Sequence, residues 1–112
     1  MSPAAFEKTC LALAGATVNL QWGEDYVYKV GGRMFAVATP TGGCSLKTSD
    51  IAFEALTESG RARPAPYLAR AKWVLFDDIG VLDDAEMVDW LKSAHDLVAA
   101  KLTRAQRREL GL

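Results

Sequence analysis

Long apolar runs are missing from this sequence. None approaches the roughly 20 residues that a membrane-spanning helix needs, so no membrane partner is expected. Histidine occurs once, as His95, and the two cysteines, Cys10 and Cys44, form no Cys-x-x-Cys pair. So few nitrogen and sulfur ligands give no zinc pattern, and neither a metal nor a cofactor is expected. The cysteines read as small apolar core side chains, since disulfides are disfavoured in a reducing compartment. No Gly-Lys-Ser/Thr phosphate loop is present; Gly31-Gly32 and Gly42-Gly43 sit where hairpin turns belong. The first residues lack a basic segment leading into an apolar core, so no signal peptide is read and the cytoplasm is the expected location. Charge of one sign is not in excess either: 13 bases and 14 acids leave a net −1.

What is present is an ordinary globular composition in 112 residues, enough for one hydrophobic core and one domain, 1–112. The charges are segregated along the chain. Residues 61–76 carry Arg61, Arg63, Arg70 and Lys72 with no acid, and 77–100 carry seven acids against Lys92. Residues 101–112 turn basic again with Lys101, Arg104, Arg107 and Arg108 against Glu109. Such separation creates a one-sided field able to steer an anionic partner, unless the segments neutralise each other in the fold.

Periodicity supplies the elements. Ser2-Pro3 is an N-cap with proline at the first helical position, and Phe6, Cys10 and Leu13 share one face, which predicts a helix over about 3–14. Val18, Leu20 and Trp22 alternate in a half-buried strand over 17–22. Residues 26–30 and 33–39 follow as a hairpin around Gly31-Gly32, the second strand central by its apolar run. Residues 44–47 add a fourth strand, and Ser49 or Asp50 caps a helix over 51–58. Prolines 64 and 66 exclude regular structure up to about residue 66, and 72–76 read as a fifth strand. Asp83 with Glu86 opens the strongest helix, over about 84–101, and Thr103 with Gln106 opens a short last one. The order predicts an α+β fold: one antiparallel sheet with helices on one face.

Catalytic patterns are sparse, and no enzyme is expected. His95 has no metal-pairing residue one turn on and reads as a partly exposed packing residue. Asp77, Asp78, Asp83 and Asp84 lack calcium-loop spacing and read as a strand end and helix cap. Ser45 and Lys47 share a strand face, as a nucleophile and its base would, without an oxyanion-hole signature. The connector over 61–73 differs in kind. Arg61, Arg63, Arg70 and Lys72 suit phosphate, Arg by a bidentate fork, and Tyr67 suits stacking on a base. The competing reading is a loop that is basic because it packs on the acidic 77–89 segment. Trp73 is expected in the core.

Five pieces in order then carry a resemblance over nearly the whole chain. They are Trp22-Gly23; Tyr28-Lys29-Val30-Gly31-Gly32-Arg33-Met34-Phe35-Ala36; Ser45-Leu46-Lys47; Pro66-Tyr67-Leu68 through Lys72-Trp73-Val74; and the run 93–102 around His95. With them the chain resembles the MmcQ/YjbR family of small bacterial proteins. The resemblance implies a CyaY-like (frataxin-like) fold and DNA binding through a "double-wing" motif. It does not carry frataxin's iron role, because the first helix holds only Glu7 where that role needs a carboxylate ridge. Many relatives have Asn or His in the segment before the Trp; here it is Leu68-Ala69-Arg70-Ala71, which keeps a phosphate contact and loses a polar base contact. The expected function is DNA binding by backbone contacts from Arg61, Arg63, Tyr67, Arg70 and Lys72. Lys47 and the hairpin's Lys29 and Arg33 would assist, in a monomer. The alternative is a non-enzymatic adaptor for a protein or small ligand, with Ser45 and Lys47 in its groove.

Overall fold

The computed structural model describes all 112 residues. Ser2 opens the first helix, its hydroxyl accepting from the Ala5 N–H at 3.1 Å. The helix, α1 (Pro3–Leu11), stops about one turn earlier than its periodicity suggests. Leu13 N–H already donates to Cys10 O as a tighter turn, and Gly15, at φ +70°, reverses the chain.

Four strands then run up and down: β1 (Ala16–Gln21), β2 (Asp25–Val30), β3 (Arg33–Ala38) and β4 (Cys44–Lys47). Gly31 and Gly32 both take positive φ, as a two-residue hairpin turn requires. After α2 (Asp50–Glu58), Arg63–Pro64 forms a two-residue strand, β5, against β6 (Trp73–Phe76). This corrects the expectation that prolines keep 61–66 irregular. Pro64 lies at the sheet edge, where its missing N–H costs no ladder bond. The last elements are α3 (Asp84–Ala99) and α4 (Arg104–Glu109). Thr103 and Gln106 form the reciprocal capping box, whereas Asp83 caps α3 without a returning bond, because Glu86 is engaged by Arg61.

The sheet is antiparallel in the order β1-β2-β3-β4-β6-β5. The fold is therefore α+β, with β3 and β4 central, as the apolar run of β3 predicted. The helices cover one face. Phe6 and Cys10 from α1, Leu56 from α2, and Met87, Leu91, Ala94 and Val98 from α3 pack there against Tyr28, Phe35, Leu46 and Val74. Both cysteines lie in this core as free thiols. His95 is buried, 4% exposed, not partly exposed as its sequence context suggested. Its Nε2–H donates to Ala14 O at 2.7 Å and its ring meets Phe35 edge-on at 5.4 Å. A satisfied polar tip makes its burial affordable.

The other face carries no helix. Val27, Val37 and Trp73 line it, and Ala65 and Leu68 of the connector fold back over them. Trp73 is a core residue as expected, 5% exposed, but in this second, smaller core. β1 is only partly the half-buried strand expected: Val18 packs on the main core, while Leu20 is exposed and Trp22 leaves the strand at φ +51°. No helix is long and apolar enough to cross a membrane.

Candidate functional site

Antiparallel pairing brings distant segments to common ends of the sheet. At one end β2 finishes, β3 begins, β4 finishes and β6 begins: Val30 pairs with Arg33, and Lys47 pairs with Trp73. The C-terminal end of α3 arrives at the same place, since Leu102 touches the hairpin at Gly31. This end collects Arg33, Lys47, Lys72 and Lys101. The opposite end collects Asp25 at the start of β2, Asp77 after β6, and Asp83, Asp84 and Glu86 at the start of α3. The linear blocks of charge thus become a lengthwise separation across the sheet. It also suits α3, whose N-terminus favours acids and whose C-terminus favours cations.

The basic end contains a surface groove of about 260 Å³. Arg33, Lys47 and Lys101 rim it over a floor of Met34, Trp73 and Val98. Lys47 Nζ donates to Ala71 O. Partial burial pulls its ammonium below the ordinary lysine range, Lys101 pushes it further down, Asp50 opposes, and Lys72 adds to the repulsion. Crowded like charges of this kind are what an anion would relieve. None of the four cations has a carboxylate within ion-pair distance. Lys72 Nζ sits 5.0 Å from the centre of the Phe53 ring instead.

The seven sequence candidates divide three ways. Arg33 and Lys47 line the basic groove, Lys72 stands close enough to repel Lys47, and exposed Arg70 flanks it one residue before Ala71. Arg61 and Arg63 do not join them. Arg61 pairs with Glu86 at 2.6 Å and lies over the Trp90 ring at 5.1 Å; Arg63 pairs with Asp77 at 2.7 Å. The acidic segment therefore holds half of the connector's charge. Three further acids are occupied locally: Asp78 and Asp83 accept from backbone N–H groups of Gly80 and Glu86, and Asp84 pairs with the Met1 amino group. Tyr67 stands elsewhere, on the helix-free face. Ser45 and Lys47 share that face, yet no hydrogen bond joins them, and Lys47 is turned to Ala71.

Tyr67 borders a second groove, of about 350 Å³, whose other wall carries Trp22. Met34 and Val37 form its floor, and Asp25, Thr39 and Ser45 supply polar groups. Tyr67 is fully exposed and Trp22 is 64% exposed. Both have left-handed backbones, φ +66° and +51°, and only Lys72 among the other non-glycine residues shares that geometry. A left-handed L-residue costs roughly 1–2 kcal/mol, and burial of these two side chains does not offset it. Met34 lines both grooves, so the basic end and the aromatic groove adjoin. Sequence reasoning missed Lys101 as a member of the basic end, and it gave Trp22 and Met34 no part in a site. Lys101 lay in a noted basic stretch, but its neighbours are set by the contact of Leu102 with Gly31.

The YjbR family model matches residues 11–97. The chain belongs to the YjbR family. Among solved structures it is similar to the Deinococcus radiodurans protein DR2400, described by the family-model domain DUF419. The identity is 27%, the TM-score is 0.83, and the match covers 95% of this chain and 85% of that one. No curated protein is matched. The YjbR match spans Trp22, Arg33, Lys47, Tyr67 and Lys72, whereas Lys101 and α4 fall beyond it.

Proposed function

We propose that this YjbR protein binds DNA by its phosphate backbone at the basic end of the sheet. The observation that carries this is the convergence of Arg33, Lys47, Lys72 and Lys101, from four separate segments, with no carboxylate partner. Two projections flank Lys47: the β2–β3 hairpin with Arg33, and the end of the connector with Arg70 and Lys72. They serve as the two wings of the motif that the family resemblance implies. Arg33 and Arg70 fork onto phosphate oxygens, and the lysines act as point charges. The acidic end repels the same polyanion, so the field orients the approach even at a net charge of −1.

Fluorescence anisotropy with labelled oligonucleotides across a salt series tests the reading. Five neutralised phosphates give a slope of log affinity on log salt of about −3.5 to −4.5, single strands at the shallow end. Arg33→Ala with Lys101→Ala is expected to make the slope shallower by about 2. Absence of binding at low salt, or a double variant indistinguishable from the parent, refutes it.

A second reading draws on the neutralised Arg61 and Arg63 and on Ser45 beside Tyr67. It is the non-enzymatic adaptor, with the aromatic groove as its docking surface. Loss of nucleic-acid binding in the same assay would favour it.

A further inference from the structure

We infer that the DNA held at the basic end is single-stranded, and that its bases stack in the groove between Tyr67 and Trp22. This rests on the phosphate reading above and extends it to the other half of the surface.

The two grooves have opposite chemistry. The basic groove offers three cations on its rim and no acid. The aromatic groove offers two exposed rings, an apolar floor, and a single charged residue, Asp25. A phosphate fits the first, and the second holds no cation to bind one. A nucleobase is uncharged and flat and carries amino donors and carbonyl acceptors. It fits between Tyr67 and Trp22, with Asp25, Thr39 and Ser45 placed for its edges. Met34 belongs to both grooves, so one continuous ligand reaches from one to the other. That ligand joins anionic parts and ring parts in one molecule, which describes a nucleotide chain.

Strandedness follows from access. In a duplex the base faces are stacked against each other and only edges are presented. Here the rings wall a groove on the sheet, with no α-helix on that face to enter a groove of DNA. Unstacked bases of a single strand can splay onto aromatic side chains in such a site. The six residues of β3 run about 20 Å between the two ends. That is a path for several nucleotides, beyond the reach of one. The backbone geometry agrees: two of the three non-glycine residues with left-handed φ are the two aromatics that wall the groove. Each is held out in solvent where packing gives it nothing to do.

The test compares labelled oligo-dT, a duplex, an abasic deoxyribose-phosphate strand and free dTMP at one low salt concentration. Oligo-dT is expected to bind more tightly than the other three. Tyr67→Ala is expected to weaken oligo-dT by about 5- to 150-fold, the loss of one stacked base, and to leave the abasic strand unchanged. Tyr67→Asn, which tolerates the left-handed backbone, is expected to behave alike and guards against a folding defect. Oligo-dT is also expected to quench the emission of exposed Trp22, a signal lost in Trp22→Phe, because Trp73 is buried and Trp90 is held between Phe76 and Arg61 on the helical face. Equal binding of duplex and oligo-dT, equal binding of free dTMP, or silent Tyr67 variants overturns the inference and leaves the phosphate reading standing. Binding of none of the four ligands overturns both.

Discussion

Gly31 ties the hairpin to the end of α3, and replacing it with alanine probes how the basic end is built. A Cβ at this position would lie 2.7 Å from both Cδ atoms of Leu102 and 3.3 Å from its Cγ. Leu102 is buried, so its methyls cannot swing into solvent. Overpacking of this kind costs about 1–3 kcal/mol, and the left-handed backbone at φ +58° adds roughly 1–2 kcal/mol for a residue with a side chain. Gly31→Ala is therefore expected to lose about 2–5 kcal/mol. Gly32 is the internal control: its φ is +79°, but a Cβ there meets nothing within 4 Å, so Gly32→Ala loses only the backbone share. Urea denaturation, read as the midpoint at constant slope, gives both numbers. Leu102→Val, which removes the clashing Cδ atoms for about 1 kcal/mol, is expected to shrink the Gly31→Ala increment toward that of Gly32→Ala. The binding assay adds a functional readout. Because the contact aligns Arg33 with Lys101, folded Gly31→Ala is expected to bind oligonucleotide more weakly than Gly32→Ala. Equal losses at the two glycines, or an increment unchanged by Leu102→Val, would refute the reasoning.

Lys47 is expected to titrate below the ordinary lysine value in an NMR titration of side-chain amines, and Lys101→Gln is expected to move it back up. Its folded value lies below the ordinary 10.5, so the unfolded chain holds more protons just below that pH, and stability gains from Lys47 as pH rises through the window. A Lys47 that titrates at or above the ordinary lysine value contradicts the crowded cationic groove. Both thiols are expected to resist alkylation in the native protein at mildly alkaline pH: burial pushes Cys44 up to about 12 and Cys10 higher still, with Cys44 adding to the rise at Cys10. Rapid native labelling would place them outside the core. Arg63→Ala, which removes an exposed pair, is expected to change stability by less than about 1 kcal/mol and to leave the oligonucleotide affinity unchanged. Arg61→Ala is expected to cost more, up to about 2 kcal/mol, because it also uncovers Trp90. A large binding loss in either variant would return both arginines to the interface.

Local signals foretold the elements well where local chemistry decides them. Caps at Ser2, Ser49, Asp83 and Thr103, the Gly31-Gly32 turn and the apolar run of β3 all operate within a few residues. Three features were illegible because they depend on pairing across the fold. Pro64 could join a strand only because β5 became an edge, which no local pattern reveals. His95 was burial-competent only because the Ala14 carbonyl, 81 residues away, faces it. Trp22 looked like the third member of an alternating strand, but the chain leaves the sheet there and the ring turns out to solvent.

The basic connector shows the limit most clearly. Its four cations are neighbours in sequence and are parted by the fold. β5 pairs Arg63 with Leu75 and so sets it beside Asp77, whereas Lys72 precedes β6 and stays at the far end. A strand of a few residues is long enough to deliver one cation to an acid and another to an open groove. The cations that do gather come from positions 33, 47, 72 and 101, and no window of sequence contains them together. Net charge, and charge per segment, therefore misjudge this surface in opposite directions. The first sees no field at all, and the second places it in one loop. What an anionic partner meets is a sheet with a positive end and a negative end. The aromatic groove begins at the positive one and reaches Asp25 at the other, so a bound strand is expected to hold its phosphates at Lys47 and turn its bases toward Trp22.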